Sequence, residues 1–227
     1  MIAIICAMNN EIAFYKTVIK NLEVITHCNK EFFKGTIGDN EVVLTECGIG
    51  KVNSVINTSL LIHNFAPTVI INTGIAGGIS PLETNDLFIG EEFVYGDFDL
   101  TMFNYEMGQV PGYEPRFVSE TKYTSIFKKY LMDSNIKYTN GLIVTQDSFI
   151  KTIDQVSQFS NLKIATDMEG ASIAHICKFY NISFFSIRII SDVIGSNNQI
   201  SNYSEFEDKA AEHSSITTYN FLLKNKL

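Results

Sequence analysis

Positive charge is scarce in this chain of 227 residues: 17 lysines and arginines stand against 25 aspartates and glutamates, a net charge of −8. That balance excludes the electrostatic footprint of a nucleic-acid binder, which needs a basic face to neutralise phosphates. Cysteine is also sparse. Cys6, Cys28, Cys47 and Cys177 form no CxxC and no spacing of metal-ligand kind, so they read as free thiols in a reducing cytoplasm, and no metal site is expected. With four prolines and neither repeat nor low-complexity tract, nothing marks a linker, and residues 1–227 read as one domain. No apolar run approaches the roughly 20 residues that cross a bilayer. Residues 1–8 are apolar but short, lack a basic leader and run into Asn9-Asn10-Glu11. A buried first strand is expected there rather than a signal peptide, and no membrane contact is expected.

Several motifs are missing too. There is no Walker A sequence, and Gly74-Ile75-Ala76-Gly77-Gly78 is not GxGxxG at a helix start, which argues against a P-loop nucleotidase and leaves a dinucleotide site weakly supported. No cofactor is expected. No nucleophile elbow supports Ser/His/Asp catalysis. His27, His63, His175 and His213 form no ligand pattern and read as structural or solvated.

What remains is an ordinary globular composition, 45% hydrophobic and 19% charged, in which strand-like runs alternate with helical patterns. Strands are expected over 2–7, 32–37, 42–46, 69–73, 87–97, 141–145 and 183–190, with a hairpin at Gly38-Asp39-Asn40. Helices are expected over 11–21, 51–64, 119–133, 168–180 and 205–224. The run at 69–73 ends at Gly74, and the glycines after it suit a tight turn or the close approach of a ligand. The order predicts an α/β fold: a mixed, largely parallel sheet with helices on both sides. Sites in such folds gather at the carboxyl ends of strands. Glu11, the Gly48-Ile49-Gly50 and Gly74–Gly78 segments and Asp192 all follow strand ends.

Asp192 stands out. It follows an apolar strand interrupted only by Arg188 among its core positions. A carboxyl there is partly desolvated, its pKa rises, and it can act as an acid near neutral pH; a helix cap or a salt bridge to Arg188 is the plainer alternative. Glu169 in Asp167-Met168-Glu169 and Glu11 have equally plain readings as acids of a first helical turn. The aromatic stretch 98–113, with Phe98, Phe103, Tyr105 and Tyr113, is either a hydrophobic plug or a contact surface for a ligand or a partner subunit.

These blocks, in order, carry a family likeness: Cys6-Ala7-Met8-Asn9-Asn10-Glu11, Gly48-Ile49-Gly50-Lys51-Val52, Ile71-Asn72-Thr73-Gly74-Ile75-Ala76-Gly77-Gly78, the stretch 103–112, Gln146-Asp147-Ser148-Phe149-Ile150, Asp167-Met168-Glu169-Gly170-Ala171 and Arg188-Ile189-Ile190-Ser191-Asp192-Val193. The chain resembles the methylthioadenosine/S-adenosylhomocysteine nucleosidases of the nucleoside phosphorylase superfamily. The resemblance implies hydrolysis of an N-glycosidic bond through a ribosyl cation-like transition state. Asp192, oriented by Ser191, would protonate the imidazole ring of adenine. Backbone groups of Ile150 would read the Watson–Crick edge while Phe149 stacks on the purine. Glu169 would bind the ribose hydroxyls and steady the developing cation. Glu11 would deprotonate the attacking water with help from Arg188, whose charge is expected to keep that carboxylate ionised. Met8, Ile49 and Met168 would pack around ribose. Leu100, Phe103, Tyr105 and Pro111 would complete the alkylthio pocket of a neighbouring subunit, which makes a homodimer the expected unit, and Tyr203 would lie on a lid.

The chain departs from the family pattern at two places. Ile75 stands where a small hydroxyl residue is usual, beside the ribose, and a short insertion lies around 196–199. Ile75 weakens any phosphate site and favours water as nucleophile. Two alternatives remain: a nucleoside phosphorylase or hydrolase of another adenine nucleoside, and a nucleoside-binding protein with weak turnover.

Overall fold

Strand β1 (Ile2–Cys6) shows how the core is organised. Its side chains alternate between two apolar layers: Ile2, Ile4 and Cys6 enter one, Ala3 and Ile5 the other. Period-two alternation of apolar residues on both faces is what a strand covered on both sides requires. The computed structural model describes residues 1–159 and 162–227. Around β1 run α1 (Asn9–Val18), β2 (Lys20–His27), β3 (Lys30–Ile37), β4 (Asn40–Glu46), α2 (Lys51–Phe65), β5 (Val69–Gly78) and β6 (Leu87–Tyr95). They continue into β7 (Phe117–Val118), α3 (Thr121–Asp133), β8 (Thr139–Thr145), β9 (Ile164–Asp167), α4 (Gly170–Tyr180), β10 (Ser183–Val193) and α5 (Gln199–Lys224). One apolar layer includes residues of α1, α3 and α5; the other includes residues of α2 and α4.

The sheet order is β10-β6-β8-β9-β5-β1-β4-β3-β2, and β5 also pairs with β10. Strands β10, β6, β8, β9 and β5 therefore close on themselves, while β1, β4, β3 and β2 extend from that ring as a wing. Strand β5 is the hinge of the design. Its first half pairs with β1 on one side, its whole length pairs in parallel with β10, and its last two residues meet β9. The register sets Asp192 opposite Gly77, and Gly77 opposite Thr166. No described helix is long and apolar enough to cross a membrane.

The expected α/β architecture is the one observed, with corrections at element ends. The glycine segment after Thr73 is not a turn: β5 runs on to Gly78 because β10 supplies a hydrogen-bonding partner throughout. The helix expected to reach Asn21 stops at Val18, and β2 follows. That edge strand turns Leu22 and Val24 outward, so its apolar residues mark no buried face. The short strands β7 and β9 were not foreseen, since two and four residues carry too little pattern. Strand β10 extends to Val193 and so contains Ser191 and Asp192. Helix α5 begins six residues earlier than expected, at Gln199.

Candidate active site

A cavity of about 90 Å³ lies where chain segments leave β1, β4, β8 and β9 and where β5 and β10 approach their carboxyl ends. Glu11 reaches it from the first turn of α1. Its Oε2 accepts hydrogen bonds from the Ala7 and Met8 amides at 2.7 and 3.0 Å, and its Oε1 accepts from the Ile75 amide at 3.0 Å. The first-turn acid therefore does cap α1, and the same carboxylate also faces the cavity. Gly74 makes this approach possible: a Cβ there would sit 2.2 Å from Glu11 Oε1 and 2.9 Å from Arg188 Nη1. A glycine is needed because two functional groups crowd the backbone.

Glu169 comes from the α4 end. Although it occupies the N-cap position, its side chain makes no cap bond; that role falls to Asp167, whose Oδ2 accepts from the Gly170 amide at 3.0 Å. Freed from capping, Glu169 Oε1 accepts instead from the Gly50 amide at 2.8 Å. The loop carrying Gly50 is tied down from outside the cavity: Lys51 pairs with Asp97 at 2.6 Å, and Asp147 accepts from the Lys51 amide at 2.8 Å.

Arg188 lies fully buried near Asp167, Glu169 and Glu11. Its Nη2 donates to Asp167 Oδ2 at 2.5 Å and to Asn72 Oδ1. Asp167 is further fixed by the Thr145 hydroxyl at 2.5 Å. Asp192 makes no salt bridge to Arg188 and caps no helix, against its plainer reading; Ser191 Oγ donates to its Oδ1 at 2.7 Å and Gln199 Nε2 to its Oδ2 at 2.8 Å.

Electrostatics follow from this arrangement. Burial pushes the Asp192 carboxyl above the usual range, against the hydrogen bonds from Ser191 and Gln199. Burial likewise raises Glu169, reinforced by the charge of Asp167 and opposed by Arg188 and the Gly50 amide. Glu11 departs from expectation. Arg188 and three backbone amides lower its pKa, yet desolvation outweighs them and the net direction is up. The physical reason is burial: removing the carboxylate from water costs more than the guanidinium and the amides return. A carboxylate with a raised pKa is a stronger base once ionised.

A model of the phosphorylase superfamily matches residues 1–222. A 5′-methylthioadenosine/S-adenosylhomocysteine nucleosidase of Bacillus cereus is 38% identical, with 98% of this chain and 96% of that protein aligned. The chain belongs to this nucleosidase family of the phosphorylase superfamily. Solved structures agree. An S-adenosylhomocysteine nucleosidase from Streptococcus pyogenes, in complex with 5-methylthiotubericidin, superposes with a TM-score of 0.93 at 29% identity, covering 100% of this chain and 97% of that one. The methylthioadenosine/S-adenosylhomocysteine nucleosidase of Neisseria meningitidis with methylthio-immucillin-A gives 0.92 at 30% identity, covering 99% of each chain.

The cavity of this family member gathers Glu11, Glu169 and Asp192 with Met8, Ile49, Ile75, Phe149, Ile150, Met168, Ser191 and Tyr203. Arg188 does not line the cavity; it is buried next to Asp167, Glu169 and Glu11. Leu100, Phe103, Tyr105 and Pro111 do not line it; they lie on the surface loop around the 3-10 turn Thr101–Phe103, where Phe103 is 63% exposed. No described histidine lines the cavity, and no described group of acids, histidines and cysteines could hold a metal. Sequence reasoning missed Asp167 and Asn72 as partners of Arg188, and Gln199 as a partner of Asp192. A lone asparagine in the apolar run 69–73 was the available signal for Asn72. Asp167 stood beside a nominated acid, and Gln199 had no signal beyond its place in the insertion.

Proposed function

We propose that this protein hydrolyses the N-glycosidic bond of 5′-methylthioadenosine and S-adenosylhomocysteine, releasing adenine and the thio-substituted ribose. The observation that carries the reading is the meeting of Glu11, Glu169 and Asp192 around one cavity, with the Ile150 carbonyl beside Asp192. One acid must be protonated to activate the leaving base, and another ionised to activate water. Asp192, which burial favours in its protonated form and Ser191 orients, gives its proton to the imidazole ring of adenine. The ribose–adenine bond breaks, and the ribosyl cation that develops lies against Glu169. Water adds to the anomeric carbon as Glu11 takes its proton, with Arg188 stabilising the carboxylates. Phe149 stacks on the purine, Ile150 reads its edge, and Met8, Ile49, Met168 and Ile75 enclose the sugar. Enclosure strengthens each of these electrostatic contributions.

The working unit in this reading is a homodimer. Leu100, Phe103, Tyr105 and Pro111 complete the alkylthio pocket of the neighbouring subunit, and their half-buried or exposed positions away from their own cavity support that role. An apolar wall suits a thioether better than a phosphate or a hydroxyl. The four described cysteines are unpaired, in keeping with a reducing cytoplasm.

Purified protein mixed with each thio-nucleoside should release free adenine in phosphate-free buffer. Release that occurs only when phosphate is added would make the protein a phosphorylase instead. Faster cleavage of adenosine or inosine than of methylthioadenosine would remove the thioether assignment.

A further inference from the structure

Gln199 opens α5 and is almost completely buried. Its Nε2 carries two hydrogens, and both are engaged: one donates to the Ile150 carbonyl at 2.7 Å, the other to Asp192 Oδ2 at 2.8 Å. Its Oε1 accepts from the Gly195 amide at 3.2 Å, closing a short loop in which Gly195 adopts a φ of +77°. The side chain thus presents a planar NH₂ group to two acceptors at the base end of the cavity. An amino group on a purine offers the same two donors in the same plane.

We propose that Gln199 is an internal stand-in for the purine amine: in the ligand-free protein its carboxamide fills that subsite, and a 6-aminopurine must displace it to bind. This rests on the proposed adenine site, and it adds a competitor that the reaction itself does not need. A further observation converges on it. Tyr203 lies one helical turn after Gln199, lines the cavity, and its ring meets Phe149 edge-on at 5.4 Å and 82°. One turn of helix therefore covers both the edge and the stacking face of a single subsite.

The arrangement has a physical rationale and a consequence. Asp192 and the Ile150 carbonyl would otherwise be buried acceptors without partners when no ligand is bound, and such groups are destabilising. The consequence is that apparent ligand affinity is reduced by the fraction of molecules in which Gln199 is in place. The exchange also selects its ligand: a 6-aminopurine returns two donors to the two oxygens, whereas a 6-oxopurine presents another acceptor.

Adenine binding by calorimetry, together with melting temperature with and without adenine, tests this in the parent, Gln199→Ala and Gln199→Asn. Both variants should fold, bind adenine about 5–30-fold more tightly, as expected from losing one or two competing hydrogen bonds, and show a larger adenine-induced rise in Tm. Asparagine keeps the amide but is one methylene short of spanning both oxygens, so it should follow alanine. Unchanged or weaker adenine binding in either folded variant, with a parent that binds and releases adenine normally, would overturn the stand-in role alone. A folded parent that neither binds adenine nor releases it from methylthioadenosine would overturn the functional reading and this inference together.

Discussion

The floor of the cavity and its rim are built on different principles. The floor is charged and buried: Glu11 and Glu169 sit at the starts of α1 and α4, Arg188 and Asp192 within β10, and each is held by backbone amides or by a neighbouring side chain. The rim is apolar and open. Ile49 is 50% exposed and Phe149 38%, while the 3-10 turn beyond shows Met102 at 84%. Reacting atoms need groups fixed to a fraction of an ångström, which strand ends and backbone donors supply. Recognition of a thioether tail needs only apolar area, which a surface loop or a partner subunit can supply. Substitutions in the floor should therefore act on turnover and those in the rim on binding.

The sharpest break in this comparison is Asp192→Asn. It keeps the side-chain shape and its bond from Ser191 but removes the proton, so kcat should fall by about 10²–10⁴-fold with the melting temperature near that of the parent. Glu11→Gln should cost turnover to a similar degree while ligand still binds. The pH profile distinguishes the two. The proposed reaction needs Asp192 protonated and Glu11 ionised, and both pKa values are displaced upward. In the parent, kcat/KM should therefore fall as pH rises through the Asp192 value and also as pH falls through the Glu11 value. Asp192→Asn should lose the alkaline limb of whatever activity is left. A parental rate in either variant removes that residue from its role.

Next in size is Asp167→Asn, a floor position that touches Arg188. Removing one partner of a buried ion pair ordinarily destabilises by about 3–5 kcal/mol. Glu11 and Glu169 still neutralise the guanidinium, so about 3 kcal/mol is expected, read from urea unfolding. A loss within the ±0.5 kcal/mol of ordinary surface substitutions would mean that Arg188 does not depend on this partner.

On the rim, Phe103→Ala tests the proposed partner contribution. KM for methylthioadenosine should rise about 5–30-fold, as for 1–2 kcal/mol of lost apolar contact, with kcat affected less. An unchanged KM in a protein that is dimeric by light scattering would exclude Phe103 from the tail pocket.

The same contrast explains what could be read from the sequence. Long apolar strands and the order of strands and helices were legible because burial on both faces imposes an unbroken apolar run, as at Ile70 and Ile71. The three carboxylates were legible through their family blocks and their positions after strands. The partnerships were not. Asp167 with Arg188 is a contact across 21 residues between β9 and β10, and Gln199 with Ile150 spans 49. Both depend on how the ring of strands closes, which no local periodicity encodes. The net direction of the Glu11 pKa was likewise hidden, because it is decided by how deeply the folded chain buries that carboxylate.

Ile75 lies on the boundary between floor and rim, and the smallest effect on turnover is expected there. The family resemblance implies a small hydroxyl residue here, and with it a polar contact that Ile75 lacks. Yet the link from this position to Glu11 runs through the backbone amide, at 3.0 Å to Oε1, and any residue other than proline supplies that amide. The isoleucine side chain meanwhile belongs to the apolar layer and is 9% exposed. Ile75→Ser should accordingly leave kcat within about threefold, lower KM by up to about tenfold if the hydroxyl finds the ribose, and destabilise the fold by about 2 kcal/mol through lost apolar burial. Steady-state kinetics and urea unfolding on one preparation read all three. A tenfold or larger gain in kcat would assign the side chain at 75 to the transition state, and would move this position from the rim to the floor.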